Sequence, residues 1–241
     1  MPKTFEALKR AEEERRLRLE TPSITLEPRK AKISSQTVEE YHRMKYKILS
    51  SGRNHPIKVL LFCSCCPAEG NSTVLTLFAL TLASGGEKVY LVDANLRTPS
   101  LHKAFHLERE NGLTELCFGT RNLEEVVKKT HFDNLWVITS GIPHANPLTI
   151  FQDRVLDSHI EQMKARADWV LFDSPPVKNY TDPISLAGKV DGMVMVVQAE
   201  KTRWEVARHN IERLENGNGK ILGVILNKRQ FYIPNWLYKT L

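Results

Sequence analysis

Six apolar runs of strand length, separated by helical or turn-rich segments, constrain the fold of this 241-residue chain more than any other feature. They are residues 57–64 (IKVLLFCS), 88–93 (KVYLVD), 134–140 (NLWVITS), 168–173 (DWVLFD), 192–198 (GMVMVVQ) and 221–227 (ILGVILN). A sheet with one wet face alternates apolar and polar residues, whereas strands buried on both faces read as nearly unbroken apolar runs. Between these runs lie helical patterns over 72–84 (closed by Gly85-Gly86), 123–129, 149–167 and 202–214. That order predicts an α/β fold, a doubly wound and mostly parallel sheet, with any ligand in the crevice beyond the carboxyl ends of the strands.

The residues before this pattern differ in character. Residues 1–60 carry 14 Lys and Arg against 8 Asp and Glu, leaving 20 of each sign beyond, so the net charge of +6 belongs to the amino-terminal part. Residues 3–20 are good helix formers with a thin apolar stripe at Phe5, Leu8, Leu17 and Leu19, and 21–35, with Pro22 and Pro28, read as a linker. A second helix is expected to start with Thr37 and Glu40 as a capping box and to dock through Val38, Tyr41, Met44 and Ile48. The division is therefore a charged helix and linker at 1–35 and an α/β domain at 36–241. Interleaved glutamates favour a solvated helix over a membrane-binding one, and nucleic acid is not an expected partner. No run reaches the ~18 to 20 apolar residues of a transmembrane segment, and the start has no apolar signal core, so a cytoplasmic chain is expected. Cys63, Cys65, Cys66 and Cys117 read as thiols rather than as a disulfide framework or metal site.

The chemistry concentrates in the turn after the first run, residues 63–73 (CSCCPAEGNST), which leads directly into a helical stretch. A phosphate-binding loop occupies that position: glycines let backbone amides approach phosphate oxygens at a helix amino-terminus, and a hydroxyl reaches Mg²⁺. Gly70, Ser72 and Thr73 fit, while Asn71 stands where G-x-x-x-x-G-K-[ST] has lysine and Cys65 where it has the first glycine. Two further runs end in carboxylates, Asp93 and Asp173. Singly, each also suits a strand-end turn, as does Asn227.

Taken in order, Pro67 to Thr73, Val92 to His102 (VDANLRTPSLH), Phe172 to Val177 (FDSPPV) and Gly223 to Asn227 (GVILN) resemble the motifs of the bacterial tyrosine autokinases. These are MinD/ParA-like P-loop proteins that govern capsule and exopolysaccharide synthesis, and the resemblance spans residues 36–229. It implies a P-loop NTPase-like domain that takes ATP or ADP with Mg²⁺. It implies catalytic roles for Asp93, Asp173 and Arg97, and cofactor binding by Pro67, Glu69, Gly70, Asn71, Ser72, Thr73 and Asn227. The metal would fall to Ser72, Asp93 and Asp173, and the acceptor tyrosines would be Tyr232 and Tyr238. The implied partner is a membrane chain-length regulator of polysaccharide export, with self-association through residues 1–50 and a peripheral place at the inner membrane face left open.

The departures from the family pattern fall largely on one site. Asn71 replaces the loop lysine, Ala68 a glycine, and Asn95 the second aspartate that helps hold Mg²⁺; the self-association pattern E-x-x-R-x-x-R appears as Glu39, His42 and Lys45. A lost lysine–phosphate contact costs about 1.5–3 kcal/mol, one to two decades of affinity. Positioned cations are worth ~10³ to 10⁵ in phosphoryl-transfer rate. The leading expectation is a regulator of polysaccharide synthesis or export that binds nucleotide weakly or not at all, with weak or lost hydrolysis and kinase activity. The alternative is an active tyrosine autokinase whose missing cation comes from elsewhere, with Lys103 and Lys178 lying near the relevant loops in sequence. A ParA/MinD-type positioning ATPase comes third, because its additional lysine early in the loop is absent where Ser64, Cys65 and Cys66 stand.

Overall fold

Strand residues Val59–Ser64 are buried without exception, as are Val89–Asp93 and Trp169–Asp173. The computed structural model describes residues 35–52, 56–144, 146–152 and 155–229. Expectations for the charged helix and linker, and for Tyr232 and Tyr238, lie outside the described residues. In chain order the elements are α1 (Ser35–Ser51), β1 (Val59–Ser64), α2 (Asn71–Ser84), β2 (Val89–Asp93), α3 (Leu101–Ala104), α4 (Leu113–Cys117), α5 (Leu123–Val126) and β3 (Val127–Lys129). There follow β4 (Leu135–Ile138), α6 (Leu148–Gln152), α7 (Val155–Arg166), β5 (Trp169–Asp173), α8 (Asp182–Ala187), β6 (Gly192–Gln198), α9 (Trp204–Asn216) and β7 (Ile221–Asn227).

One seven-stranded sheet has the order β3-β4-β2-β5-β1-β6-β7. All neighbours are parallel except β3 against β4. Alternate strand residues feed two cores. Leu61, Cys63, Val92, Phe172 and Met195 face α7, α8 and α9, while Leu60, Phe62, Leu91, Leu171 and Val196 face α1, α2 and α3. The expected doubly wound sheet is the observed one, and all six apolar runs become strands.

Ten of the fourteen residues of α2 are buried, so this helix is enclosed around its circumference rather than lying on one stripe. Phe78 at its centre touches the rings of Tyr41, Phe62 and Trp169, with centroids 6.2, 5.8 and 6.2 Å away. Tyr41 and Met44 pack against this core and Ile48 is buried in it, docking α1 as expected. A Lys45–Glu87 ion pair at 2.8 Å reinforces the contact.

Three local expectations are corrected. Residues 123–129 are not one helix: after a capping box between Asn122 and Glu125 and a single turn, Val127–Lys129 pair antiparallel with β4. Two successive β-branched residues, Val126 and Val127, and the Lys128 ammonium donating to the Glu108 and Glu110 carbonyls at 2.6 and 2.5 Å, favour the edge strand. Residues 149–167 form two helices, α6 and α7, instead of one. Thr37 lies inside α1 rather than at its cap, because the helix already includes Ser35 and Gln36.

Candidate nucleotide-binding site

Parallel pairing sets Asp93 and Asp173 side by side at the carboxyl ends of β2 and β5, and sets Asp173 beside Phe62 of β1. The loop 65–70 leaves β1 at this same end and turns into α2, whose first residue is Asn71. The four sequence motifs therefore converge on one end of the sheet.

Two left-handed residues shape the loop, Ala68 with φ 63° and Gly70 with φ 92°. A Cβ at Gly70 would lie 2.3 Å from Asn227 Nδ2, so both conformation and space call for glycine there. At Ala68 the left-handed conformation costs an L-residue about 1–2 kcal/mol. The amides of Glu69, Gly70, Asn71 and Ser72 find no acceptor among the described residues, whereas Val74 donates to the Gly70 carbonyl at 2.9 Å to begin the helix. Undirected amides at the amino-terminus of a fourteen-residue helix form an anion cradle.

The Glu69 side chain turns away from that cradle. Its buried carboxylate accepts from the Cys66 amide at 2.8 Å, from the Gln198 amide and from the Thr202 hydroxyl, tying the loop to the end of β6. On the other flank the amides of Val177 and Lys178 donate to the Ser64 and Cys65 carbonyls at 2.9 and 3.1 Å. Pro67 is exposed, Ser72 and Thr73 are half-buried, and Asn227 donates from Nδ2 to the Glu69 carbonyl at 2.8 Å. The cysteines form no disulfide; Cys63, Cys65 and Cys117 are buried and Cys66 is half-buried at the loop.

Asn71 does not reach over the loop as a lysine would. Its Nδ2 donates inward, to Asp173 Oδ1 at 2.7 Å and to the Phe62 carbonyl at 3.0 Å. Asp93 Oδ2 accepts from the amides of Ser100 and Leu101 at 3.1 and 3.0 Å. That leaves Asn71 Oδ1, Asp93 Oδ1 and Asp173 Oδ2 as buried oxygens without a donor. Buried polar atoms are rarely left so, and three oxygens around an acid pair at a phosphate cradle suit a hard divalent cation such as Mg²⁺. Burial pushes both carboxyls well above the usual carboxylate range, and the Asp173 charge pushes Asp93 further. Ser72 and Asn71 pull Asp173 partly back.

Asn95 closes a local turn, accepting from the Thr98 amide at 3.1 Å. Arg97 is directed to α8: its guanidinium pairs with fully buried Asp182 at 3.3 Å and lies 5.1 Å from the Tyr180 ring centroid. Sequence reasoning brought Asp93, Asp173, Gly70, Asn71, Ser72 and Asn227 together correctly in space. It missed Thr202, Gln198 and Asp182, for which no motif supplied a signal.

The cradle implies a measurable result. Gly70→Ala should weaken nucleotide binding by more than about tenfold, since the added methyl must displace Asn227 while adopting a left-handed φ. Titration with a fluorescent ADP analogue measures it, and near wild-type affinity would contradict this description of the loop.

A family model described as an AAA domain matches residues 68–217. The tyrosine-protein kinase YwqD of Bacillus subtilis (strain 168) is 33% identical over 192 residues, covering 80% of this chain and 81% of its own. Among solved structures, the kinase domain of VpsO superposes with a TM-score of 0.72 at 30% identity, covering 81% of this chain and 96% of its own. The chimerical protein CapA2B2 gives a TM-score of 0.79 at 24% identity, covering 91% of this chain and 99% of its own, a likeness of fold.

Proposed function

This chain belongs to the bacterial tyrosine-protein kinase family, and we propose that it is a nucleotide-binding regulator of polysaccharide production whose phosphoryl-transfer step is attenuated at its own loop. The observation that carries this reading is Asn71: the residue at the lysine position has no charge and spends its amide on Asp173. The amide cradle, the acid pair and Ser72 support retained binding of ATP or ADP. ATP with Mg²⁺ would supply the transferable phosphoryl group and neutralise the charge that develops on it.

In this reading the Glu69, Gly70 and Asn71 amides orient the phosphates, while Ser72, Asp93 and Asp173 hold the cation. Asp93 and Asp173, the carboxylates at the cradle, are also the candidates to take the proton of an attacking hydroxyl. Arg97 fixes the loop after β2 against α8 through Asp182, so its contribution is to hold that loop in register with the acid pair. Acceptors would be Tyr232 and Tyr238.

The intact acid pair equally supports the reading as an active autokinase, in which another cation serves the transition state. Among the described residues no helix is long and apolar enough to cross a membrane. We place the chain's action beside a membrane chain-length regulator, on the strength of the family resemblance.

The test is a nucleotide titration with and without Mg²⁺, paired with a phosphotransfer assay on the full chain. Micromolar, Mg²⁺-dependent ADP binding with turnover below about 10⁻² s⁻¹ is expected. Turnover of ~1 s⁻¹, typical of slow kinases, establishes the active reading, and absence of nucleotide binding defeats both.

A further inference from the structure

Two consecutive side chains at the end of β7 grip two consecutive carbonyls of the nucleotide loop. Asn227 Nδ2 donates to the Glu69 carbonyl at 2.8 Å, and the Lys228 ammonium donates to the Ala68 carbonyl at 2.6 Å. Lys228 itself sits just past the strand with φ 55°, a left-handed turn that brings its side chain back across the loop. Its Cε lies 3.9 Å from where a Gly70 Cβ would be.

A trans peptide holds its C=O and the following N–H on opposite sides of one plane, and no cis bond occurs among the described residues. A carbonyl of Ala68 drawn toward Lys228 therefore turns the Glu69 amide away from β7. By the same geometry the Glu69 carbonyl, drawn to Asn227, turns the Gly70 amide away. These two amides find no protein acceptor among the described residues. The grip thus aims the donors of the cradle. It also acts on the residue that most needs it, because Ala68 occupies a left-handed conformation that glycine adopts freely and alanine resists.

We propose that Lys228 is a positioning residue for nucleotide binding, latching the Ala68 peptide so that the Glu69 amide faces the phosphates. The proposal deepens the nucleotide-binding reading and rests on it. Lys228 acts through the loop backbone, and its charge makes the hydrogen bond to a peptide oxygen stronger than a neutral donor would. In a chain with glycine at position 68 the latch would be nearly redundant.

The decisive experiment is a double-mutant cycle between Lys228→Met and Ala68→Gly, read as ADP affinity with Mg²⁺ present. Lys228→Met alone is expected to weaken ADP binding about fivefold to tenfold, Lys228→Arg to restore most of it, and Lys228→Met in the Ala68→Gly background to cost about twofold or less. A second arm needs no nucleotide: the Glu69 and Gly70 amide resonances of the free protein should broaden or shift in Lys228→Met and return in Lys228→Arg. An equal loss in both backgrounds, growing from ADP to a non-hydrolysable ATP analogue, would mean direct contact with the phosphates and overturn the latch. Unchanged amide resonances overturn it too. If the unmodified chain binds no ADP, the nucleotide-binding reading fails by itself, while the amide resonances still decide whether Lys228 orders the loop.

Discussion

Asn71→Lys combined with Asn95→Asp should raise phosphoryl transfer at least about a hundredfold over the unmodified chain, with a gain exceeding the product of the single changes. Lysine at 71 returns a cation to the cradle and releases Asp173 from its neutral partner, which now sits 2.7 Å away. Aspartate at 95 can keep the bond from the Thr98 amide, since the acceptor oxygen is retained, and adds an anion near the acid pair. Coupling is expected because both charges act on one transition state. Ala68→Gly as a third change should add to the gain by relaxing the loop. Phosphate release and transfer of labelled γ-phosphate measure the effect. A double variant no faster than the parent would show that positions 71 and 95 do not limit the chemistry.

Asp93→Asn should stabilise the nucleotide-free protein at pH 8 by on the order of 2 kcal/mol, roughly 4–8 °C in Tm, while abolishing Mg²⁺-dependent nucleotide binding. Two carboxyls buried side by side cannot both ionise cheaply, and burial raises the proton affinity of each in the folded state. The sign follows from linkage: the folded chain holds protons that the unfolded chain has released, so stability is greatest below the ordinary carboxylate range. It is then lost as pH rises through the raised values toward mildly alkaline conditions. The parent's Tm should therefore fall between pH 5 and pH 8, and the variant's should fall much less. An amide at 93 can still accept from Ser100 and Leu101 with its oxygen and offers Asp173 a donor. A lowered Tm at pH 8 would show that the pair is not a source of strain.

Strands buried on both faces are the easiest elements to read from a sequence, and the runs that became β1, β2, β4, β5 and β6 are largely of that kind; the run 221–227 also became a strand, but as the edge strand β7, with Val224 and Leu226 exposed. β3 was not legible, because three residues held by a lysine reaching two distant carbonyls leave no pattern in a short window. Asp93, Asp173 and Gly70 were legible through motif order, which fixes strand ends in a parallel sheet. The inward turn of Asn71 was not, since position in a motif says nothing of where a shorter side chain finds a partner. Lys228 was the least accessible: its bond to Ala68 joins residues 160 apart, and nothing local distinguishes it from any lysine after a strand.

The burial of α2 bears on how the chain emerges from the ribosome. Residues 71–84 have apolar positions around the whole helix and cannot shelter them alone. The strand before them, β1, lies in mid-sheet between β5 and β6, with Val59 paired to Val170 and Leu60 to Gly192. At ~5–20 residues per second, the chain through β6 follows α2 only after roughly 6–25 s of synthesis. For that interval the nascent polypeptide carries an apolar helix and an unpaired strand, so its yield in a heterologous host should respond to translation speed and holdase chaperones before any property of the finished fold.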